Sequence, residues 1–530
     1  MSAAAAAIAR RAWGDGRTRT LSFALFFGLV AYVQVVGYEH SYPTAVERLQ
    51  FAASFGDNKA IRLFYGVPHD LVSVGGYAAW RVGGVLSLFA AIWGIFAAVR
   101  AQRAEEDDGR AELVLAGAVG RRLVFWAALG GVGAGAFLLW LASWAGLAAG
   151  GLAAGGTAYL ALEVAAVAAF FVGVGSLASQ LAPTRRLALG LGTAAFAVAF
   201  ALRIAADTAG SLEWLRWATP LGWAEELRPF TGAQPVVLAL FAAATAALLA
   251  VSEGIARRRD VGTGILAGTD SAAPRHRGLG SPTALALRSE RGLLVGWFAG
   301  IGVYALLIGL LADTFTPENL SQSLREELQK LGGASIITPR GAVGFYFLFF
   351  AFAISLFACA QISAARHEEA DSRLETLFAL PLARIGWLGG RLALAAAGAV
   401  ALAIFAALVA WAGAATQAAG IGIGEALEAG LNTLPSSLLF LGLAALAFAL
   451  VPRAAAGVAY GLVSVAFCWY LFGALLGAPQ WTLDLSPFQH VAPVPAQPWK
   501  TGAALAMLAI GAATAAAALA LFRRRDVLGA

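Results

Sequence analysis

The chain contains little lysine, little cysteine and little charge of either sign. Only three of its 530 residues are lysines, only two are cysteines, and charged residues make up 13% of the sequence. None of the lysines follows a glycine, so the sequence lacks the Gly-x-x-x-x-Gly-Lys-Ser/Thr loop that binds nucleotide phosphates. Both cysteines lie inside apolar runs, which argues against a disulfide or a metal pair. The chain therefore supplies no nucleotide site of this kind.

Long apolar runs dominate the rest of the sequence. It is 60% hydrophobic with a mean hydropathy of +0.74, whereas soluble domains are about 45–50% apolar and about 25% charged. Twelve runs approach the roughly 20 residues needed to cross a bilayer. Their cores are Leu21–Tyr38, Val82–Val99, Leu123–Leu147, Tyr159–Leu181, Leu187–Leu202, Val236–Val251, Leu293–Leu311, Val343–Ala365, Leu392–Trp411, Leu434–Leu450, Ala454–Leu475 and Ala503–Leu521. The sequence predicts an all-α polytopic membrane protein with about twelve helices.

The arginines cluster in short loops on alternate sides of these runs. They precede the first run, follow the second, fourth and sixth runs, and recur at corresponding places in the second half. Because positively charged loops remain in the cytoplasm, this pattern predicts that both termini are cytoplasmic. The same topology explains the net charge of +6 without a role in nucleic-acid binding.

One charged stretch occurs twice, at an offset of 263 residues. Residues 103–121 read RAEEDDGRAELVLAGAVGR, and residues 366–384 read RHEEADSRLETLFALPLAR. Seven charged positions match in order, which is difficult to ascribe to chance in a chain with so little charge. Each copy follows one apolar run and precedes another. The two halves of the chain therefore present the same charged feature to water.

The ends of the two halves also match. The first half closes with ARRRDVG at residues 256–262, and the second closes with FRRRDVLG at residues 522–529. The sequence thus predicts a six-helix unit used twice in parallel orientation. The halves would be residues 1–259 and 287–530, and the Gly-, Ser- and Pro-rich residues 260–286 would form a cytoplasmic linker.

As a helix, each copy of the charged stretch would carry an acidic stripe and an internal ion pair. Glu105, Asp108 and Glu112 fall at i, i+3 and i+7, on one face. Glu106 and Arg110 are spaced i, i+4, which suits an ion pair. The second copy repeats the stripe with Glu368, Asp371 and Glu375, and the pair with Glu369 and Arg373. Most charged faces are simply solvated, but two copies of one stripe favour paired docking surfaces for a basic partner.

The Glu-Glu-Asp-Asp-Gly-Arg-Ala-Glu-Leu pattern after the second run resembles the first coupling helix of ABC-2-type exporter permeases. That family has a Gly-x-x-Glu-Leu signature there, often followed by Pro-x-x-Arg, which the second copy supplies as Pro381-Leu382-Ala383-Arg384. The tandem form is similar to antibiotic and multidrug exporter permeases of high-GC bacteria. The second copy departs from the pattern at Ser372 and Thr376, so the first copy is expected to couple more firmly.

The resemblance implies a membrane-spanning permease subunit of an ABC exporter in the bacterial cytoplasmic membrane. Two copies of a separate ATPase subunit would dock under the coupling helices and bind ATP and Mg. The permease chain would hold no cofactor or metal, would not itself be an enzyme, and would expel an amphipathic drug, antibiotic or lipid-like compound. A proton-coupled secondary drug antiporter, with a similar Asp108-Gly109-Arg110 loop, and a membrane glycosyltransferase remain alternatives.

Three charged residues, Arg81, Glu163 and Arg203, lie near the predicted outer ends of apolar runs. Each is within about one turn of the surface, where snorkelling or local pairing explains it, and a place on the substrate path is the alternative. The outer loops are expected to hold helices at residues 43–55 and 316–331. Asn432 and the following Pro435 are expected to break the tenth helix.

Overall fold

The computed structural model describes residues 3–56, 62, 65–208, 210–266, 280–312, 338–370, 373–417, 419–473 and 478–526. Within these residues the chain is helical and contains no β-strand. Eleven helices of the described part are long and apolar enough to cross a membrane. The predicted all-α polytopic fold is therefore confirmed. The chain divides into two compact units, Met1–Ala273 (unit 1) and Pro274–Ala530 (unit 2).

Unit 1 contains six of the long apolar helices. Its α-helices are α1 (Ala3–Ser41), α2 (Ala45–Phe55), α3 (Val74–Asp107), α4 (Arg110–Leu115), α5 (Arg121–Ala149), α6 (Ala154–Leu181), α7 (Arg185–Thr208), α8 (Pro220–Glu226) and α9 (Val236–Arg258). Helix α3 contains π-helical turns at Ala79–Gly83 and Arg100–Ala104. A 3₁₀-helix at Gly210–Ala218 leads from α7 into α8.

Unit 2 contains the other five long apolar segments. Its α-helices are α10 (Pro282–Leu311), α11 (Pro339–Ala370), α12 (Arg373–Phe378), α13 (Arg384–Thr416), α14 (Ile423–Leu431), α15 (Leu434–Leu450), α16 (Ala455–Phe472), α17 (Gln480–Leu483) and α18 (Thr501–Arg524). At the position of the predicted break, a two-residue turn at Asn432 and Thr433 separates α14 from α15, and the two helices together form one long apolar segment, Ile423–Leu450. Helix α16 occupies the eleventh predicted run but is too short to count among the eleven long apolar segments.

Corresponding helices pack together in the two units. Helix α1 lies along α5 and α10 lies along α13, while α3 packs on α6 and α11 packs on α15. Glycines permit this close approach: a Cβ added at Gly146 would lie 2.2 Å from the carbonyl oxygen of Gly28. A Cβ added at Gly309 would lie 2.1 Å from the carbonyl oxygen of Ala410. Since lipid tails are as apolar as leucine, van der Waals contact at such interfaces stabilises membrane helix pairs.

The long loop after α1 folds into α2, as predicted for residues 43–55. Thr44 and Glu47 form a capping box, in which the Thr44 hydroxyl accepts from the Glu47 N–H at 3.3 Å and the Glu47 carboxylate accepts from the Thr44 N–H at 2.9 Å. Beneath α2, the rings of Tyr38 and Tyr77 stack with centroids 3.9 Å apart. The helix predicted at residues 316–331 lies outside the described residues.

Candidate functional site

In unit 1 the charged stretch forms the end of α3, a turn and the short helix α4. Gly109 has a φ of +71°, a left-handed conformation that glycine adopts without steric cost. This residue ends α3 and starts α4 in a new direction. The prediction of one continuous helix is therefore wrong for this copy. Glu105, Asp108 and Glu112 do not share one helical face.

The predicted ion pair between Glu106 and Arg110 is also wrong. Arg110 pairs with Glu105, with Nη2 2.6 Å from Oε1, and with Asp108 at 2.5 Å. The left-handed residue between the two helices destroys the i, i+4 register on which the prediction depended. The hydrogen-bonded carboxylate of Glu105 raises the pKa of the Arg110 guanidinium.

Glu106 instead lies in a network that joins three long helices of unit 1. The buried Arg103 donates to its carboxylate at 2.9 Å. Arg259, directly after α9, forms an ion pair with the same carboxylate. The carbonyl oxygen of Arg259 accepts a 2.5 Å hydrogen bond from Arg121 at the start of α5. The charged stretch is thereby tied to both α5 and α9.

Unit 2 contains the same network. Glu369 has a fully buried side chain, forms an ion pair with Arg525 directly after α18, and lies 3.7 Å from Arg366. Arg384, at the start of α13, donates to the carbonyl oxygen of Arg525. Each of these contacts repeats one found in unit 1. Asp371, which was predicted for the acidic stripe, lies outside the described residues.

Arg259 and Arg525 are not among the site residues predicted from the sequence. The signal for them is nevertheless present, because each is the third arginine of a repeated RRRDV ending. Two repeated charged motifs in one unit are candidates for mutual contact. The spacing of residues within one motif cannot show this contact, because Arg259 and Glu106 are separated by 153 residues in the sequence.

Beyond this network each unit exposes a short helix. On α4, Glu112 and Leu113 are exposed, and Leu113 is 77% exposed. On α12, the corresponding Glu375 and Thr376 are exposed. Glu112 and Glu375 are therefore a matched pair of predicted stripe residues whose side chains remain available to a partner.

The first glutamates of the two copies have different surroundings. Glu105 pairs with Arg110 inside its own stretch. Glu368 pairs with Arg391 of α13, and this buried arginine also pairs with Glu290 of α10. Glu105 also lies 3.4 Å from Nε of Arg11, so it is tied to α1, whereas Glu368 is tied to α13 and, through Arg391, to α10.

The network of unit 1 borders a cavity of about 140 Å³ between α1, α3 and α5. One part of its wall is charged and includes Glu106, Arg121 and Arg259. Another part is apolar and includes Trp93 and Phe125. The cavity is therefore amphipathic.

Of the three charged residues near the helix ends, Arg203 pairs locally. Its Nε lies 3.6 Å from Asp207 on the same helix and 3.8 Å from Glu225 of α8. Arg81 lies over the ring of Tyr65, with its guanidinium carbon 3.8 Å from the ring centroid. Local pairing, one of the two expected explanations, accounts for Arg203.

Glu163 is 4% exposed, so snorkelling does not explain it. Its carboxylate lies 3.5 Å from the hydroxyl of Ser87, and it borders a cavity of about 40 Å³ that Arg203 and Glu225 also line. That volume holds a few water molecules. Burial raises the pKa of the Glu225 carboxyl well above its usual range, and the Asp207 carboxylate adds to the rise. The structure brings Glu163 and Arg203 to one cavity.

The two all-helical units define a class, that of multi-pass membrane proteins, and comparison with known proteins narrows this class. The sequence profile of a family described as "Multidrug efflux system permease Rv1217c, C-terminal domain" matches residues 19–254 and 279–523. The chain is 31% identical over 514 residues to the multidrug efflux system permease protein Rv1217c of Mycobacterium tuberculosis (strain ATCC 25618 / H37Rv). The aligned region covers 94% of this chain and 90% of that protein. The chain belongs to this family of multidrug efflux permeases.

Proposed function

We propose that the chain is the membrane subunit of an ATP-driven ABC-2-type exporter in the bacterial cytoplasmic membrane. Two separate ATPase subunits, which bind ATP and Mg, dock on α4 and α12 at the cytoplasmic side, where both termini also lie. The observation that carries this proposal is that each unit exposes a short helix anchored by the same Glu–Arg network. The amphipathic cavity of unit 1 supports an amphipathic drug, antibiotic or lipid-like substrate.

The network gives the partner's movement a route into the membrane helices. The ion pair of Glu106 with Arg259 connects the turn before α4 to the end of α9. The hydrogen bond from Arg121 to the carbonyl oxygen of Arg259 connects α5 to the same point. Ion pairs shielded from water hold their geometry more firmly than exposed pairs. A displacement of α4 is thereby transmitted to α3, α5 and α9 together.

A proton-coupled antiporter is the second candidate, and Glu163 favours it. A buried carboxylate beside a small cavity that also contains Arg203 and Glu225 is a group able to bind and release a proton during transport. At the offset of 263 residues, however, Glu163 corresponds to Ala426, and the neighbouring Glu425 and Glu428 are not buried.

Co-purification with the ATPase tests the proposal. Glu112→Arg combined with Glu375→Arg reverses the two exposed charges without touching the Glu106 and Glu369 networks. The control combines Glu39→Arg with Glu428→Arg, two exposed glutamates away from α4 and α12. We expect the first variant to remain folded by size-exclusion chromatography but to lose both the ATPase and ATP-dependent efflux, whereas the control keeps both.

Transport by the chain alone would identify the proton-coupled antiporter instead. Purified chain reconstituted alone into vesicles would then transport drug in response to a pH gradient and without ATP. Glu163→Gln would abolish that transport. Under the ATPase proposal the chain alone transports nothing, with or without a pH gradient.

A further inference from the structure

Three arginines from separate helices lie within electrostatic range of one another at one end of unit 1. Arg19 belongs to α1, Arg100 begins the second π-helical turn of α3, and Arg185 begins α7. Arg100 and Arg185 are close enough to act electrostatically on the guanidinium of Arg19. Because like charges repel, the proximity of three guanidinium groups by itself disfavours the folded state.

No carboxylate pairs with these three side chains in the part of the chain that the structure describes. Asp107 is engaged elsewhere: Nε of Arg103 lies 3.3 Å from it, and the backbone N–H of Arg185 donates to it at 2.6 Å. The Nε of Arg100 is buried and has no hydrogen-bond partner among the described residues. Since a buried donor without a partner is costly, the cluster is suited to an anion from outside the chain.

Exposed aromatic rings continue from this cluster along two helices. Phe26 follows Arg19 by seven residues on α1, so the two side chains lie on the same face of that helix. On α3, Phe96 and Phe89 precede Arg100 by four and eleven residues, so they lie on the same face as Arg100. Phe26 and Phe89 meet edge to face, with ring centroids 4.9 Å apart. All three rings are exposed, and Phe96 is 51% exposed. An apolar surface therefore ends in three arginine side chains that form no ion pair with the acidic residues of the described part of the chain.

We propose that this surface of unit 1 binds an anionic phospholipid. Arg19, Arg100 and Arg185 hold the phosphate, and an acyl chain lies along the exposed rings. Planar guanidinium groups match phosphate oxygens geometrically, and basic side chains at the ends of membrane helices lie at the level of lipid headgroups. At the offset of 263 residues Arg100 corresponds to Ser363, so the site belongs to unit 1. This lipid site is independent of the proposed ATPase partner.

Native mass spectrometry of the full chain tests the proposal. Phosphatidylglycerol and phosphatidylcholine with identical acyl chains are offered to the wild type, to R19Q/R100Q/R185Q and to the control R17Q/R186Q/R258Q. The control removes the same charge from exposed arginines on α1, α7 and α9. We expect the cluster variant to bind phosphatidylglycerol at least about tenfold more weakly than the wild type and the control. Phosphatidylcholine should bind weakly and equally to all three.

Equal losses in the cluster variant and in the control would overturn the proposal, because general surface charge would then explain the binding. Displacement of the lipid by glycerol 3-phosphate, which lacks acyl chains, would show a free-phosphate site and would also overturn it. Phe89→Ala/Phe96→Ala should weaken phosphatidylglycerol binding severalfold, and an unchanged affinity would contradict the acyl-chain contact. If the triple variant does not fold, R100Q alone should lower the affinity, and no change there would equally refute the site.

Discussion

Arg259 and Glu106 form an ion pair although 153 residues separate them in the chain. Arg525 and Glu369 form the corresponding pair in unit 2. In both units the pair joins the residue directly after the last membrane helix to the second glutamate of the charged stretch. The anchoring of α4 and α12 therefore depends on contacts between two repeated motifs.

Removal of Arg259 should destabilise unit 1. Its side chain is 8% exposed, and Arg259→Ala leaves only Arg103 to neutralise Glu106. We expect a loss of about 3 kcal/mol in the free energy of unfolding, at the low end for a broken buried pair. Thermal unfolding in detergent measures it, with Arg258→Ala at the exposed neighbouring position as the control. Additive effects of Glu106→Gln and Arg259→Gln in a double-mutant cycle would contradict the pairing.

Leu113 should make the first docking surface stronger than the second. It is 77% exposed on α4, and its counterpart on α12 is the more polar Thr376. Burial of a leucine against a partner contributes about 1.5–3 kcal/mol, so Leu113→Ala should weaken ATPase binding about tenfold or more. Thr376→Ala is the matched control and should change the dissociation constant little. A larger effect of Thr376→Ala, or of Glu375→Arg than of Glu112→Arg, would reverse the order.

Glu225 should make stability depend on pH. Burial, reinforced by the Asp207 carboxylate, raises its pKa in the folded state. The folded state therefore binds this proton more tightly than the unfolded state, and stability falls as pH rises from the unfolded pKa of about 4.3 through the raised folded pKa. Glu225→Gln should reduce this dependence, so that its melting temperature relative to the wild type increases across that window. Parallel pH profiles of the two proteins would exclude the effect.

Close helix packing should make Gly309 intolerant of a side chain. A Cβ there would lie 2.1 Å from the carbonyl oxygen of Ala410, whereas a Cβ at Gly296 on the same helix would meet nothing within 4 Å. Gly309→Ala should destabilise unit 2 by about 1–3 kcal/mol because α10 must move away from α13. Gly296→Ala should be neutral or stabilise by up to about 1 kcal/mol, since alanine favours helix. Thermal unfolding compares the two variants, and equal effects would argue against the packing.

The membrane class and most helix positions could be predicted from sequence because each depends on local composition. An apolar run of sufficient length forms a helix in a bilayer whichever helices surround it, since its backbone must satisfy its own hydrogen bonds. The capping box of Thr44 and Glu47 is equally local. The docking role of α4 and α12 stays a prediction.

The pairing inside the candidate site could not be predicted in the same way. The expected pair of Glu106 with Arg110 assumed a continuous helix, and one left-handed glycine between them was sufficient to end it. Glycine has nearly equal access to helical and left-handed conformations, so its identity alone does not decide between the two. In the folded chain the turn at Gly109 lies next to contacts with other helices, including the ion pair of Glu106 with Arg259.

The sequence by itself determined that this chain is a helical membrane protein with a repeated charged stretch, because hydrophobic length and repetition are properties of the linear chain. Only the tertiary structure decided which acids face inward and which face solvent. Glu106 and Glu369 became internal anchors, whereas Glu112 and Glu375 remained exposed. The physical reason is that an ion pair depends on distances of a few ångströms in space, and folding brings such distances to residues that are far apart along the chain.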